Sequence, residues 1–245
     1  MIFGLLAYLL WGLFPAFFPL LLPAGPVEIL AHRILWTAVI MSLVLTVVRG
    51  WGQLRAASRR TWLQLIAAGA FISTNWGVYV LAVNTNHVAD AALGYFINPL
   101  IAVLLGVVFL GERLNRLQTI AVVIAAVGVL QLTFLSGQAP VMALGMAISF
   151  GLYGLVKKQV NVSATASLTA ETLVVAPLAL TYLVWLETTG RGTLFTEGPS
   201  HTALLVLSGL ITTIPLLLFG LAAKRLPLST VGMIQYMTPT MQMLW

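Results

Sequence analysis

The sequence predicts an all-α polytopic membrane protein built as an inverted repeat of five transmembrane helices. The prediction rests on composition, on the lengths of the apolar stretches and on the distribution of positive charge. Hydrophobic residues make up 60% of the 245-residue chain and charged residues only 7%, whereas soluble domains average about 25% charged residues. So little polar surface cannot cover a water-soluble globule, and the lipid bilayer is therefore an expected partner.

Nine apolar stretches are long enough to cross a membrane as helices, which takes about 20 residues each. They lie at about 2–22, 28–48, 62–84, 88–110, 116–135, 140–158, 165–187, 201–223 and 228 to the end. The first begins directly after Met1 without a basic leader region, so we expect it to be retained rather than cleaved. The ninth is cut off at Trp245.

Positive charge is confined almost entirely to one set of connections between these stretches. Ten of the 12 Lys and Arg follow the second, fourth, sixth and eighth stretches, while Arg191 lies in an opposite connection and Arg33 inside a span. Because loops rich in Lys and Arg stay in the cytoplasm, we expect a cytoplasmic amino terminus. The basic segment 49–62 is then a cytoplasmic anchor at the lipid headgroups rather than a specific lipid site. Topology accounts for the net charge of +6, so no nucleic acid partner is expected.

The two halves of the chain share identical residues at one nearly constant spacing, which indicates an internal repeat. The pairs are Pro99 and Pro239, Gly69 and Gly209, Ala82 and Ala222, and, one residue closer, Gly12 and Gly151. One repeat holds five spans, so the second copy enters the membrane upside down, as in many secondary transporters. We predict repeats at 1–138 and 139–245, the second truncated in its fourth helix. The full protein is expected to have ten helices, of which about nine are present here.

Two prolines lie near the middle of the fourth and ninth spans. Pro99 is about 11 residues into its span from Val88, or about 16 Å along a helix axis, and Pro239 lies at the same depth from the opposite face. Each proline removes the amide that would bond the carbonyl four residues earlier, at Tyr95 and Gln235. An unsatisfied carbonyl is costly in hydrocarbon, so it should face protein, water or a ligand.

Matched helix breaks at one depth in both halves point to the central site of a transporter. We therefore predict that Tyr95, Asn98, Gln235 and Tyr236 line a central cavity and bind substrate. The alternative is an ordinary proline kink at each position, packed against neighbouring helices.

The second span carries three ionisable residues near its start, Glu28, His32 and Arg33. A charge at the depth of Arg33 normally faces a bundle interior or an aqueous cavity, which makes it a candidate for substrate binding. Its long side chain could instead reach the membrane interface. His32 is a second candidate, with a hydrogen-bonded packing role as the alternative. Glu28 could simply favour the positive end of the helix dipole.

Polar residues in three further spans extend the candidate set. Asn75 and Tyr79 lie one turn apart in the third span and are predicted to line the same cavity, unless they only join helices. Glu171 in the seventh span roughly mirrors Glu28, and two carboxylates at opposite mouths of one pathway would suit coupling or gating. Lys157, one turn from Tyr153 at the end of the sixth span, is expected to interact with its helix end.

Four segments carry a resemblance to a known family: "EILAHRILW", "TNWGVYVLAVNTNHVADAALGYFINPLIAVLLGVVFLGERL", "SFGLYGLVKK" and "QYMTPT". Together they resemble the RarD-type permeases of the EamA family, within the drug/metabolite transporter superfamily, over essentially the whole chain. The resemblance implies a ten-helix inverted-repeat carrier of the bacterial cytoplasmic (inner) membrane, with a central cavity formed by the first four helices of each repeat. Asp90 stands where that family leads us to expect glutamate.

The expected function is a secondary active transporter that moves a small metabolite or drug-like solute by alternating access through a central cavity. The alternatives are a non-transporting membrane scaffold and an intramembrane enzyme that uses His32, Glu28, Glu171 or His87 for acid-base chemistry. The sequence has no HExxH, no GxSxG and no cysteine, so we predict no catalytic residue, metal site or cofactor. A homodimer is possible.

Overall fold

The computed structural model describes residues 1–85, 87–136 and 140–244, and within these ranges all regular structure is helical. Eight helical segments are long and apolar enough to cross a membrane. The spanning segments are Ile2–Leu21, Pro26–Val47, Arg59–Asn84, Ala89–Leu110, Arg116–Leu135, Val141–Gln159, Ala164–Thr188 and Pro199–Arg225. The first eight predicted spans are therefore present, and the chain is a multi-pass membrane protein.

The first span is formed by α1 (Ile2–Gly12), α2 (Phe14–Phe17) and a 3-10 turn (Phe18–Leu21). The helices that follow are α3 (Pro26–Val47), α4 (Trp51–Arg55), α5 (Arg59–Asn84), α6 (Val88–Leu110), α7 (Arg116–Ser136), α8 (Val141–Gln159), α9 (Ala164–Thr188) and α10 (Pro199–Arg225). The predicted ninth span consists of two short helices, α11 (Leu228–Gln235) and α12 (Met237–Gln242).

The helices pack in pairs that correspond between the two halves of the chain. The contact of α6 with α8 has a counterpart in that of α1 with α12, and the contact of α5 with α8 has one in that of α1 with α10. Likewise, α5 contacts α9 as α10 contacts α3, while α3 with α9 and α6 with α11 join equivalent helices of the two halves. A twofold relationship between two copies of one helix arrangement produces this pattern.

Glycines that align between the halves occupy corresponding close contacts. A β-carbon at Gly69 of α5 would lie 3.0 Å from the carbonyl oxygen of Glu171 in α9. One at Gly209 of α10 would lie 2.8 Å from the carbonyl carbon of Trp36 in α3. Because these neighbours are backbone atoms, only glycine allows the helices to approach so closely. The aligned pair thus sets the same spacing in both halves.

Glu112 joins the connection after α6 to the start of α11. Its carboxylate accepts hydrogen bonds from the backbone amides of Leu228 (2.6 Å) and Ser229 (2.8 Å). The first amides of a helix lack partners within the helix, and the helix dipole favours a negative charge there. Glu112 therefore fixes the beginning of α11 beside α6.

The two prolines differ from each other and from their predicted role as helix breaks. The helix α6 continues through Pro99 without interruption, so Pro99 does not break its helix. A proline removes one hydrogen bond, and α11 packs directly against this turn, with the Gly232 backbone close to the Pro99 carbonyl. In the second half the helix is interrupted at Tyr236, between α11 and α12, just before Pro239.

We predict that Gly209→Ala destabilises the protein by about 1–3 kcal/mol, the usual cost of overpacking a tight contact. The added methyl group would meet the α3 backbone, which cannot move without separating α3 from α10. Thermal unfolding in lipid nanodiscs measures the change.

Gly128→Ala is the matched control, because a β-carbon at Gly128 in α7 has no atom within 4 Å. Alanine favours a helix over glycine by about 1 kcal/mol, so this variant should be as stable as the parent or more so. Equal stability of both variants would contradict the assigned role of Gly209.

Candidate functional site

A cavity of about 480 Å³ lies inside the bundle, within the usual range for small-molecule sites. It extends toward the end of the bundle that holds residues 18–25, which we call the α1–α3 end. Its wall is formed by Tyr8, Trp11, Phe14, Pro15, Phe18, Pro19, Leu22, Arg33, Asn75, Trp76, Tyr79, Tyr95, Asn98, Phe150, Gln235, Thr238 and Gln242.

Six residues predicted to bind substrate lie in this wall. They are Arg33, Asn75, Tyr79, Tyr95, Asn98 and Gln235. They come from α3, α5, α6 and α11, so both halves of the chain contribute polar groups. The tyrosine rings of α5 and α6 meet edge to face, with centroids 6.2 Å apart.

The other predicted residues lie outside the cavity wall. Adjacent residues on a helix point about 100° apart, so Arg33 faces the cavity and His32 faces the helix packing. His32 is buried there with both ring nitrogens unpartnered among the described residues. For the same reason Tyr236 points away while Gln235 lines the cavity. Pro99 and Pro239 are absent from the wall as well.

The Arg33 side chain is 9% exposed and is held by one hydrogen bond and three aromatic rings. Its Nε donates to Thr212 Oγ1 of α10 over 2.8 Å. The guanidinium carbon lies 5.4 Å from the ring centroid of Phe14, 5.3 Å from that of Phe18 and 5.1 Å from that of Trp76. Such ring faces attract cations. Arg33 therefore stays in the wall instead of extending to the interface.

Two buried amides in the wall have unused hydrogen-bonding capacity. Asn98 is 1% exposed and Gln235 is 4% exposed, and the side-chain oxygens of both lack a partner among the described residues. Asn75 differs, because its amide nitrogen donates to the Met146 carbonyl over 2.8 Å and joins α5 to α8. Buried polar groups without partners are costly, so Asn98 and Gln235 are the amides best suited to a solute.

The aromatic part of the wall was not predicted from the sequence. Three of its rings pack against two more rings behind them, and the five form a cluster, which we call the aromatic floor, on the side of the cavity away from the α1–α3 end. They belong to Tyr8, Trp11, Phe150, Tyr153 and Phe219, and neighbouring centroids lie 5.2–6.2 Å apart. The spacing of Tyr8, Trp11, Phe14 and Phe18 along one helical face was the available signal in the sequence.

Beyond the aromatic floor lies a buried ion pair. Lys157 of α8 and Glu171 of α9 are 2.9 Å apart, with side chains 0% and 1% exposed. Glu171 also accepts hydrogen bonds from Ser167 and from the Tyr153 hydroxyl. The expectation that Lys157 interacts with its own helix end is therefore wrong. A buried ammonium is stabilised far more by a carboxylate than by the helix dipole.

Glu28 lies near the α1–α3 end, in a separate hydrogen-bonded cluster. Its carboxylate accepts from the backbone amide of Thr193 (2.7 Å) and from the Thr193 hydroxyl (2.9 Å). The same hydroxyl shares a 2.9 Å hydrogen bond with Nε2 of His201. Glu28 thus ties the start of α3 to the connection between α9 and α10. Neither Glu28 nor Glu171 belongs to the cavity wall.

Metal chemistry has no visible basis in the described residues. Across residues 1–85, 87–136 and 140–244, no group of three or more His, Asp or Glu side chains could hold a metal ion. The cavity wall offers one cation, two amides with unpaired oxygens and several ring faces as binding groups.

Comparison with known proteins shows which family this chain resembles. The model of the EamA-like transporter family matches residues 1–134. Protein RarD of Streptomyces exfoliatus is 47% identical over 99% of this chain and 78% of its own length. The uncharacterized transporter YojE of Bacillus subtilis is 45% identical over 99% of this chain and 83% of its own. Protein RarD of Escherichia coli is 39% identical over 98% and 82%.

A solved crystal structure is among those that share the fold. It superposes with a TM-score of 0.77 over 99% of this chain and 85% of its own, at 19% sequence identity. At this identity the likeness concerns the helix arrangement alone.

We predict that Lys157→Met costs about 3–5 kcal/mol of stability, because it leaves Glu171 buried without a counter-charge. Replacing both residues, as Lys157→Met with Glu171→Met, should recover most of the loss. A double-mutant cycle by thermal unfolding measures the coupling. Arg55→Met, which removes an exposed cation, is the control and should change stability little. A double variant as unstable as Lys157→Met would contradict the pairing.

Proposed function

Since the chain belongs to the EamA-like transporter family, we propose that it is a secondary active transporter that moves a small solute by alternating access through the central cavity. Membership of the family makes the protein a membrane transporter. The alternating-access mechanism is supported by one observation, a cavity with polar groups from both halves that is reached from one end and closed at the other.

The closed end has the features of a gate. Along α8, Phe150 borders the cavity, and Tyr153 and Lys157 follow on successive turns toward the connection between α8 and α9. The aromatic floor and the Lys157–Glu171 pair therefore lie in series between the cavity and that end. We propose that they separate when the protein opens there, which gives Glu171 the gating role.

Glu28 is the proposed counterpart at the α1–α3 end. Its hydrogen bonds to Thr193 hold α3 against the connection that leads to α10. Closure of this end would bring the aromatic segment 14–22 across the cavity mouth. The positive-inside pattern supports an outward-facing α1–α3 end and a cytoplasmic amino terminus. The relatives described above come from bacteria, which supports the bacterial cytoplasmic (inner) membrane.

We predict that two single-cysteine variants react with a membrane-impermeant thiol reagent in opposite ways. The chain has no cysteine, so each introduced thiol reports alone. Gln242→Cys borders the cavity and should react from outside the cell. Thr172 is buried beside Glu171, and its hydroxyl donates to backbone carbonyls of its own helix. Thr172→Cys should react only from the cytoplasmic face, in inverted vesicles.

In alternating access only one end of the cavity is open at a time, so conditions that expose one of these cysteines should protect the other. Neutralising the gate with Lys157→Gln and Glu171→Gln should raise the reaction rate of Thr172→Cys severalfold and lower that of Gln242→Cys. Leu104→Cys, on an exposed apolar face, is the control and should stay unreactive. If neutralisation leaves both rates unchanged, or raises both together, alternating access is excluded.

A measurement of solute flux distinguishes a transporter from an intramembrane enzyme and from a membrane scaffold. Proteoliposomes loaded with a bacterial metabolite extract should release one or a few solutes chemically unchanged, identified by mass spectrometry. An enzyme would alter a solute, and a scaffold would release none.

We predict that Asn98→Ala slows release by about tenfold, because a hydrogen bond in the cavity is worth about 1–1.5 kcal/mol. Asn161→Ala, at an exposed position, should release at the parent rate, and equal rates for both variants would remove Asn98 from the site.

A further inference from the structure

The positive charge of Arg33 is not neutralised by any described carboxylate. The one ion pair in residues 1–85, 87–136 and 140–244 joins Lys157 to Glu171. Among the described residues, the one hydrogen-bond partner of the Arg33 side chain is the neutral hydroxyl of Thr212. A charged group at this depth of a membrane protein normally has a partner of opposite charge or faces a site that supplies one.

The chain has no spare acid for this purpose. It contains six Asp and Glu residues, and four of them accept hydrogen bonds elsewhere. Glu28 binds Thr193, Glu112 binds the start of α11, Glu171 binds Lys157, and Glu187 binds the amide of Leu194. Of the other two, Asp90 lies in the first turn of α6 and Glu197 is exposed. None of these six acids is paired with Arg33, so its guanidinium charge is available to a ligand in the cavity.

The residues around Arg33 indicate which chemical groups a bound anion should carry. The rings of Phe14, Phe18 and Trp76 surround the guanidinium, and Trp11 and Phe150 continue the apolar surface of the wall. This surface suits a compact apolar or aromatic group. The unpartnered amide oxygens of Asn98 and Gln235 suit a hydrogen-bonding substituent.

We propose that the transported solute is a small organic anion whose carboxylate binds Arg33 and whose apolar body packs against the rings. This deepens the proposed function and rests on it. A planar guanidinium binds a carboxylate through two parallel hydrogen bonds. One arginine balances one negative charge, so a monocarboxylate leaves no net charge in the site. Arg33 is then the residue that selects solutes by charge.

Three probes of one shape and different charge test the proposal: phenylacetate, phenylacetamide and 2-phenylethylammonium. Binding to the protein in nanodiscs at neutral pH is followed by tryptophan fluorescence, because Trp11 and Trp76 lie in the cavity wall, and by thermal shift. Phenylacetate should bind at least about tenfold more tightly than phenylacetamide, because the amide keeps one hydrogen bond to the guanidinium but loses the opposite charge and the second parallel hydrogen bond. The ammonium probe should bind most weakly.

Two substitutions assign the preference to Arg33. Arg33→Gln should reduce phenylacetate binding to the level of phenylacetamide while phenylacetamide still binds. Arg33→Lys should keep the order of the probes with weaker phenylacetate binding, because lysine keeps the charge and loses the paired geometry. Arg191→Gln, which removes an exposed arginine, is the matched control and should behave as the parent. If Arg33→Gln does not fold, Arg33→Lys and the probe order in the parent decide.

The proposal is overturned if phenylacetamide or the ammonium probe binds as tightly as phenylacetate, if no probe binds at about 10 mM or below (an affinity roughly tenfold weaker than a Kd of about 1 mM), or if Arg33→Gln keeps the anion preference. None of these results affects the exclusive labelling of Gln242→Cys and Thr172→Cys, which needs no solute. Failure of the anion assignment is therefore distinguishable from failure of alternating access.

Discussion

Hydrocarbon offers no hydrogen bonds and no counter-ions, so every charged or amide group inside the spans of this protein needs a protein partner or a polar space. The chain meets this requirement in two ways. Lys157 and Glu171 satisfy each other and leave nothing for a ligand. Arg33, Asn98 and Gln235 keep unused capacity and all face the same cavity. The ion pair lies at the closed end of the bundle, and the three unpaired groups line the cavity in which we propose that the solute binds.

The helix arrangement places the cavity and the buried ion pair one after the other along the bundle. The aromatic floor separates the cavity from the buried ion pair, and its rings come from α1, α8 and α10, so both halves of the chain contribute to it. A barrier made of contacts between halves is broken when the halves move relative to each other. We propose that such a movement opens the two ends of the bundle in turn while the cavity keeps its place.

Close backbone contacts between helices favour movement of the helices as rigid units. The aligned glycines Gly69 and Gly209 hold α5 against α9 and α10 against α3 at corresponding positions. Because the two contacts are equivalent, the halves meet through matched surfaces on both sides of the cavity. By contrast, α7 has no buried residue in its apolar window and lies at the edge of the bundle, away from the site.

The sequence by itself determined that the protein is an all-α polytopic membrane protein, and it determined the first eight spans. It also determined six polar residues of the cavity wall, because a polar side chain in a span cannot face lipid. Arg33, Asn98 and Gln235 were predictable for this reason. Only the tertiary structure decided which apolar faces turn inward, since lipid is as apolar as a protein core and hydropathy cannot distinguish them. The aromatic floor, the partner of Lys157 and the uninterrupted helix at Pro99 therefore depended on contacts between helices, which no single span encodes.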